Sequence, residues 1–342
     1  MLVSVTGATG FLGSHSVAAI ARAGHSLRLL VRDESTVDRA LAPLGVDTSA
    51  IEVITGDVTD ERRVAALVRG ADAVLHAAAV YSFDSRQRRV MWRTNEIGTH
   101  VVLDAARRAG VGRIVHVSTV GAMLPAAAGT LRADTPVGTA REPYLASKAA
   151  AEEIARRHQR EGAPVVITYP SALIGPHDPY LGDQNARLRN ALRGLMPIWP
   201  AGGFPVGDVR DTASLHARLI DADILSGNRF FGPGTYLSTR DYVRTLREVT
   251  ARALPALFLP ARAMTPVGRL TGALQRVWPW HIPAEYGAIY LCGCATGVAH
   301  GEPTGGVTAR PVADSMRDTV RWLHERGLLA DRQSGRIAKA VA

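Results

Sequence analysis

Short apolar runs alternate with segments whose apolar positions recur every three or four residues through the first half of the chain. The runs at 2–6, 26–31, 51–54, 73–76, 113–117 and 165–169 read as strands. Helical patterns lie between them. One covers 11–23 and stops at Gly24; others cover 61–68, ending before Gly70, 86–109, ending before Gly110, and 144–161, ending at Gly162. Glycine just past a helix end is a stop signal. Within 86–109, Val90, Thr94, Ile97, Val101 and Ala105 fall on one stripe, which predicts that this face meets a sheet. Strand–helix alternation of this kind predicts an α/β protein with a doubly wound parallel sheet covered by helices on both faces.

The texture changes after Pro170. Pro176, Pro179, Pro197, Pro200 and Pro205 punctuate it, together with Gly202-Gly203, which marks loops and short elements. Further helices are expected at 212–225, 238–252 and 312–326. The expected organisation is a dinucleotide-binding part over 1–170, with a return segment near 206–235, and a smaller substrate-binding part over 171–342.

The first strand runs into Thr6-Gly7-Ala8-Thr9-Gly10-Phe11-Leu12-Gly13 and then into a helix. Glycines in a strand-to-helix turn let the backbone bend sharply and approach a pyrophosphate, while the helix N-terminus offers free N–H groups to the anion. Gly7, Thr9, Gly10, Phe11, Leu12 and Gly13 are therefore candidate cofactor contacts, and the arrangement is Rossmann-type. The second strand ends in Val31-Arg32-Asp33. An arginine at that tip suits a ribose 2′-phosphate and an acidic residue suits a free 2′-hydroxyl. Arg32 comes first, which favours NADP; Asp33 keeps NAD open. Asp57-Val58 after the third strand would meet the adenine, and Ala77-Ala78-Ala79 after the fourth would let the backbone lie against the cofactor. Turn chemistry and helix packing explain these last two segments equally well.

The chain has two lysines, Lys148 and Lys339, and uses arginine elsewhere. Lys148 stands four residues after Tyr144, so both share a helix face. An ammonium is a compact charge with rotatable donors, which a guanidinium is not. Placed beside a phenol it is expected to favour the phenolate and lower a pKa of about 10. Such a tyrosine exchanges a proton with an alcohol or ketone near neutral pH.

Composition narrows the class. Hydrophobic residues make 46% and charged residues 21%, as in a globular protein. The net charge of +9 comes from scattered arginines without an aromatic–basic stripe, so no nucleic-acid partner is expected. Cys292 and Cys294 are one residue apart, a spacing that fits neither a zinc ribbon nor a redox pair; they read as reduced thiols. No metal-ligand spacing stands out, so no metal is expected. The strand pattern starting at Leu2 leaves no room for a leader, and the apolar stretch from Gly287 to Ala299 is too short to span a bilayer, so a cytoplasmic protein without stable membrane insertion is expected.

With these features together, the chain resembles the extended short-chain dehydrogenase/reductase family, within the NAD-dependent epimerase/dehydratase superfamily. Other motifs support the resemblance: Asn95-Glu96-Ile97-Gly98-Thr99, Val115-His116-Val117-Ser118-Thr119, Pro170-Ser171-Ala172-Leu173-Ile174-Gly175-Pro176, Asp208-Val209-Arg210-Asp211, Arg310-Pro311 and Asp318-Thr319-Val320-Arg321-Trp322-Leu323. The Val31-Arg32-Asp33 strand end and the stretch from Met196 to Gly203 resemble the dihydroflavonol-4-reductase-like and 3β-hydroxysteroid-dehydrogenase-like branches. The resemblance implies hydride transfer at a secondary alcohol or carbonyl. It gives Thr119 the substrate-orienting hydroxyl, with Ser118 as backup, and Tyr144 the proton. Lys148 would tune Tyr144 and hold the nicotinamide ribose, while Pro170, Ala172 and Leu173 would reach the nicotinamide. Asn95 is a candidate cofactor contact, or a polar residue that only stabilises its helix. Tyr81, Phe83, Trp199 and Phe204 would wall a small-molecule substrate. A nucleotide-sugar epimerase or dehydratase is the alternative, with Arg210 meeting a diphosphate; a non-catalytic dinucleotide-binding protein is another. A homodimer through helices of the cofactor part, including the one with Tyr144, is expected from the family. The segment Trp278-Pro279-Trp280-His281-Ile282-Pro283 fits a lid, a contact surface or a packed loop.

Overall fold

The computed structural model describes residues 1–82, 85–264, 266 and 286–340. Phe83 and the Trp278–Pro283 segment lie outside the described residues. Seven strands form one parallel sheet: β1 (Leu2–Thr6), β2 (Ser26–Val31), β3 (Glu52–Thr55), β4 (Ala73–His76), β5 (Arg113–Val117), β6 (Val165–Tyr169) and β10 (Arg229–Phe231). Their spatial order is β10-β6-β5-β4-β1-β2-β3. All six pairings are parallel, with Val3 opposite both Leu27 and Ala73, and Val115 opposite both Leu75 and Val166. The chain direction across the sheet reverses between β1 and β4, which opens a crevice at their carboxyl ends.

Apolar residues on both faces of the sheet explain the layering. On one face, Val64 and Leu67 of α3 (Glu61–Val68), Val102 and Ala106 of α5 (Gly98–Arg108) and Ala155 of α6 (Pro143–Arg160) pack against Val74, Ile114 and Ile167. On the other, Val17 and Ile20 of α1 (Phe11–Arg22) and Leu215, Leu219 and Ile220 of α8 (Val209–Asp221) pack against Val5, Leu29, Val115 and Val166. Each core has the continuous apolar contact that stabilises such sheets.

The helix expected over 86–109 is divided. After α4 (Arg88–Trp92), residues Arg93–Ile97 form a π-helical stretch, and α5 begins at Gly98. The wider turn rotates the helix face. Val101 and Ala105 are buried as the stripe predicts, but Val90 and Ile97 are about half exposed, and Met91 and Asn95 point inward instead. Asn95 drives this. Its carboxamide accepts from Val80 N (2.8 Å) and donates to Val80 O (3.0 Å) and Ser147 Oγ (3.0 Å), tying the loop after β4 to α6.

Beyond Pro170 the chain forms two small sheets. One joins β7 (Ala172–Ile174), β9 (Gly203–Asp208) and β11 (Thr235–Ser238); the other joins β8 (Ile198–Ala201) and β12 (Leu257–Pro260). The helices α7 (Asp183–Leu192), α9 (Thr239–Thr250), Tyr286–Cys294 and Val312–Glu325 accompany them, and β7, β9, α7 and the helix Tyr286–Cys294 supply residues that wall the crevice. No described helix is long and apolar enough to cross a membrane.

Candidate active site

The crevice is lined by two adjoining chambers, of 260 and 380 Å³, that share Gly7, Gly10, Ala77, Ala79 and Tyr180. The glycine loop forms their common floor. Gly7 has φ +75°, and a Cβ there would lie 2.6 Å from Ala77 C and Ala78 N. A Cβ on Gly13 would sit 1.9 Å from Gly7 O, so the helix start and the turn close on each other only without one. The first turn of α1 has no side-chain cap and no acidic residue, and its first intrahelical bond is Ser14 N to Gly10 O. The N–H groups of Phe11, Leu12 and Gly13 thus lack helical acceptors, as an anion site requires.

The smaller chamber collects Thr9, Arg32, Asp57, Val58 and the Ala77–Ala79 backbone. Arg32 is exposed, and no hydrogen bond or ion pair to a described residue holds it. Asp33 turns away from this lining: its Oδ1 accepts from Ser35 N (3.0 Å) and Ser35 Oγ (2.7 Å), which lowers its pKa. Asp57 makes the same local turn with Thr59 (2.9 and 2.7 Å). Burial alone would raise its pKa, but these bonds and Arg32 outweigh burial and keep it low. Val58 is buried, and a Cβ on Gly98 would lie 2.6 Å from Val58 Cγ2, so that glycine seats it.

The larger chamber holds the chemistry. Pro143 occupies the first turn of α6 and the Glu142 carboxylate accepts from Leu145 N (2.9 Å), fixing the helix start that presents Tyr144. The Thr119 hydroxyl lies beside the Tyr144 phenol and favours its ionised form. Thr119 follows β5 and accepts from Gly121 N (3.2 Å). One turn along α6, Lys148 Nζ donates to Val117 O (3.0 Å). Lys148 is buried, which lowers its pKa to about 8 against the opposing pull of Glu152. Burial also pushes the Tyr144 phenol above its ordinary range, against the Thr119 hydroxyl. The expectation that Lys148 lowers the Tyr144 pKa is therefore corrected: desolvation of the phenol leads and raises it, and the Lys148 ammonium is turned to the β5 backbone.

Phe11, Leu12, Pro170, Ala172 and Leu173 line this chamber, as do Tyr81, Ser118 and Phe204. Tyr81 packs edge-on against Tyr144, with ring centres 4.7 Å apart, and its phenol accepts from Gln184 Nε2 (3.1 Å). Ser118 is buried beside the cleft, and its hydroxyl has no hydrogen-bond partner among the described residues. Three expected residues stand elsewhere. Trp199 does not line either chamber; it is buried against Tyr242, 5.8 Å between ring centres, because β8 packs its side chain onto α9. Arg210 is pinned by Asp208 (2.9 and 2.7 Å) and Asp318 (2.9 Å), which raises its pKa and removes it from ligand contact. Asn95 does not line the chambers and acts through Val80.

Sequence reading missed Asp178, Tyr180, Gln184 and Thr296, which also line the cleft. They arrive from loops and α7, whose position depends on tertiary packing. Asp178 accepts from Gly182 N (2.8 Å) and Asn185 Nδ2 (3.0 Å), while burial raises its pKa.

The glycine cradle and the uncapped helix start fit a dinucleotide lying across both chambers. The NAD dependent epimerase/dehydratase family model matches residues 3–230. The chain is similar to a sterol demethylase protein B from Methylococcus capsulatus, 28% identical over 336 residues that cover 96% of this chain and 100% of that protein. It is 33% identical to a putative dihydroflavonol 4-reductase from Synechocystis over 78% of this chain and 80% of that protein. A solved dTDP-glucose 4,6-dehydratase from Streptomyces venezuelae, with NAD and TYD bound, superposes with a TM-score of 0.74 at 23% identity, covering 97% of this chain and 100% of that one; this likeness speaks for the fold. The chain therefore belongs to the NAD dependent epimerase/dehydratase family and is an NAD(P)-dependent enzyme of the extended short-chain dehydrogenase/reductase type.

Proposed function

We propose that the enzyme is an NADP(H)-dependent oxidoreductase that interconverts a secondary alcohol and a ketone, or an aldehyde and its alcohol, on a small and largely apolar substrate. The observation that carries this is the Thr119–Tyr144 pair with Lys148 one helical turn away, at the inner end of a chamber walled by Tyr81, Leu124, Leu145, Phe204 and Leu291. Thr119 orients the substrate oxygen and stabilises charge that develops there. Tyr144 gives or takes the hydroxyl proton, with the Thr119 hydroxyl beside the phenol. The cofactor supplies the hydride acceptor or donor and, when oxidised, a positive charge.

The protein groups that would hold that cofactor are on one continuous surface. The amides of Phe11, Leu12 and Gly13, with Gly7, Thr9 and Gly10, would take the pyrophosphate. Asp57 and Val58 would take the adenine, Lys148 the ribose, and Pro170, Ala172 and Leu173 the nicotinamide. In this reading residues 1–170 and the return segment near 206–235 serve the cofactor, and the rest serves the substrate. Arg32 favours NADP: it lines the chamber unengaged while Asp33 is taken by Ser35.

An apolar substrate is favoured over a nucleotide sugar. Lys148 is the one basic residue among the described lining of the larger chamber, and a diphosphate needs cationic or fork-shaped donors. The full-length similarity to a sterol demethylase protein supports the same direction. The test is a screen of NADPH and NADH consumption against ketones, aldehydes, sterols and nucleotide sugars. Stoichiometric NADPH oxidation with an apolar ketone is expected. Tightly retained NAD with conversion of a nucleotide sugar and no net cofactor consumption would overturn the proposal.

A further inference from the structure

The outward side of α5 and α6 gathers three metal-ligating groups that the cleft does not use. His100 and Asp104 are four residues apart on α5, so they share a face, and His158 stands near the end of α6. Asp104 lies between the two histidines. Its Oδ2 is 4.0 Å from His100 Nε2, and its Oδ1 is 3.5 Å from His158 Nε2. One donor atom from each residue falls within 4.8 Å of the other two. His158 is 1% exposed, yet neither ring nitrogen has a hydrogen-bond partner among the described residues. A buried polar side chain left without a bond calls for an explanation.

We propose that His100, Asp104 and His158 bind a zinc ion that staples α5 to α6. Two imidazoles and a carboxylate suit zinc rather than magnesium or calcium, which take oxygen ligands. Zinc bonds of about 2.0–2.2 Å in a tetrahedron place the donors roughly 3.3–3.6 Å apart. Asp104 and His158 already have that spacing. The remaining closure falls to His100, whose side chain is 51% exposed and able to swing. Water completes the shell. Arg108 competes for the carboxylate, with Nη1 3.7 Å from Asp104 Oδ2, but it is 65% exposed and can retreat into solvent. The site lies ten residues past Lys148 on α6, about 15 Å along the helix, so the ion braces the helix and takes no part in the reaction.

The test uses tag-free, full-length enzyme stripped with a chelator and titrated with zinc against a chromophoric chelator, with thermal melts in parallel. One zinc per chain is expected, with Kd about micromolar or tighter, and a Tm that climbs with zinc concentration. His100→Gln and Asp104→Asn should weaken binding at least about 100-fold, and Arg108→Gln should strengthen it. His100 is exposed, so its variant folds even if a His158 variant does not. Absence of stoichiometric binding, or wild-type affinity in His100→Gln, overturns the proposal.

Discussion

Replacing Lys148 with methionine separates what this residue does for folding from what it does for the reaction. The ammonium is buried, and its pKa falls from an ordinary 10.5 to about 8 because burial disfavours the charge. A displacement of that size corresponds to about 3 kcal/mol of destabilisation while the lysine is charged. The folded pKa lies below the unfolded one. Below pH 8 both states carry the proton, so the full cost applies; between pH 8 and 10.5 the folded lysine gives up its proton first and the cost fades. Methionine fills a similar volume but leaves Val117 O without its donor, at about 1 kcal/mol. Glu152 keeps Arg156, whose Nε donates to it at 2.6 Å. Lys148→Met should therefore be about 2 kcal/mol more stable than the parent at pH 7, lose that advantage by about pH 10, and have no turnover. Urea unfolding of both proteins from pH 7 to pH 10 measures the difference, and groups common to both cancel. A difference that stays flat across that range would refute the burial argument.

Tyr144→Phe removes the proton donor but keeps the ring that packs against Tyr81, so NADPH affinity should change by less than about twofold while kcat falls roughly 10²–10⁴-fold in a steady-state assay. Arg32→Ser removes the candidate 2′-phosphate contact; competitive titration should show the NADPH-to-NADH affinity ratio dropping at least about tenfold, and an unchanged ratio would count against NADP. Gly13→Ala forces a methyl into Gly7 O, so calorimetry should find cofactor affinity reduced at least about 100-fold. Asn95→Ala leaves Val80 N and O unbonded and frees the β4 loop from α6; a loss of about 2–3 kcal/mol in urea unfolding is expected.

The sheet was legible because each of its first six strands is a local run of apolar residues, and the glycine loop because its steric demand is local too. Residues placed by distant packing were not. Whether Arg32 or Asp33 faces the cofactor chamber depends on a turn between Asp33 and Ser35, two residues on; that pattern recurs at Asp47-Thr48-Ser49 and Asp57-Val58-Thr59, and each time the carboxylate closes on the later amide and hydroxyl. This signal was available in the sequence. The π-helical stretch was not: the 86–109 stripe is regular, and the detour is set by Asn95 reaching Val80 and Ser147 across space. Aromatic identity alone did not separate Phe204, which lines the cleft as well as touching Tyr242 of α9, from Trp199, which packs on Tyr242 without lining the cleft, although the two are five residues apart on consecutive strands. Nor did Arg210 reveal its ion pair with Asp318, more than a hundred residues away.

The seventh strand carries a consequence for synthesis and for truncation. β10 pairs with β6 through Arg229–Ile167, Phe230–Thr168 and Phe231–Tyr169, and α8 covers the outer face shared with α1. A nascent chain that has emerged only to Pro170 thus holds a sheet with a bare, apolar margin and with Val115 and Val166 lacking the α8 residues that pack against them. Cutting there would yield an aggregating fragment instead of a portable nucleotide-binding module; the shortest self-sufficient piece has to run past Phe231.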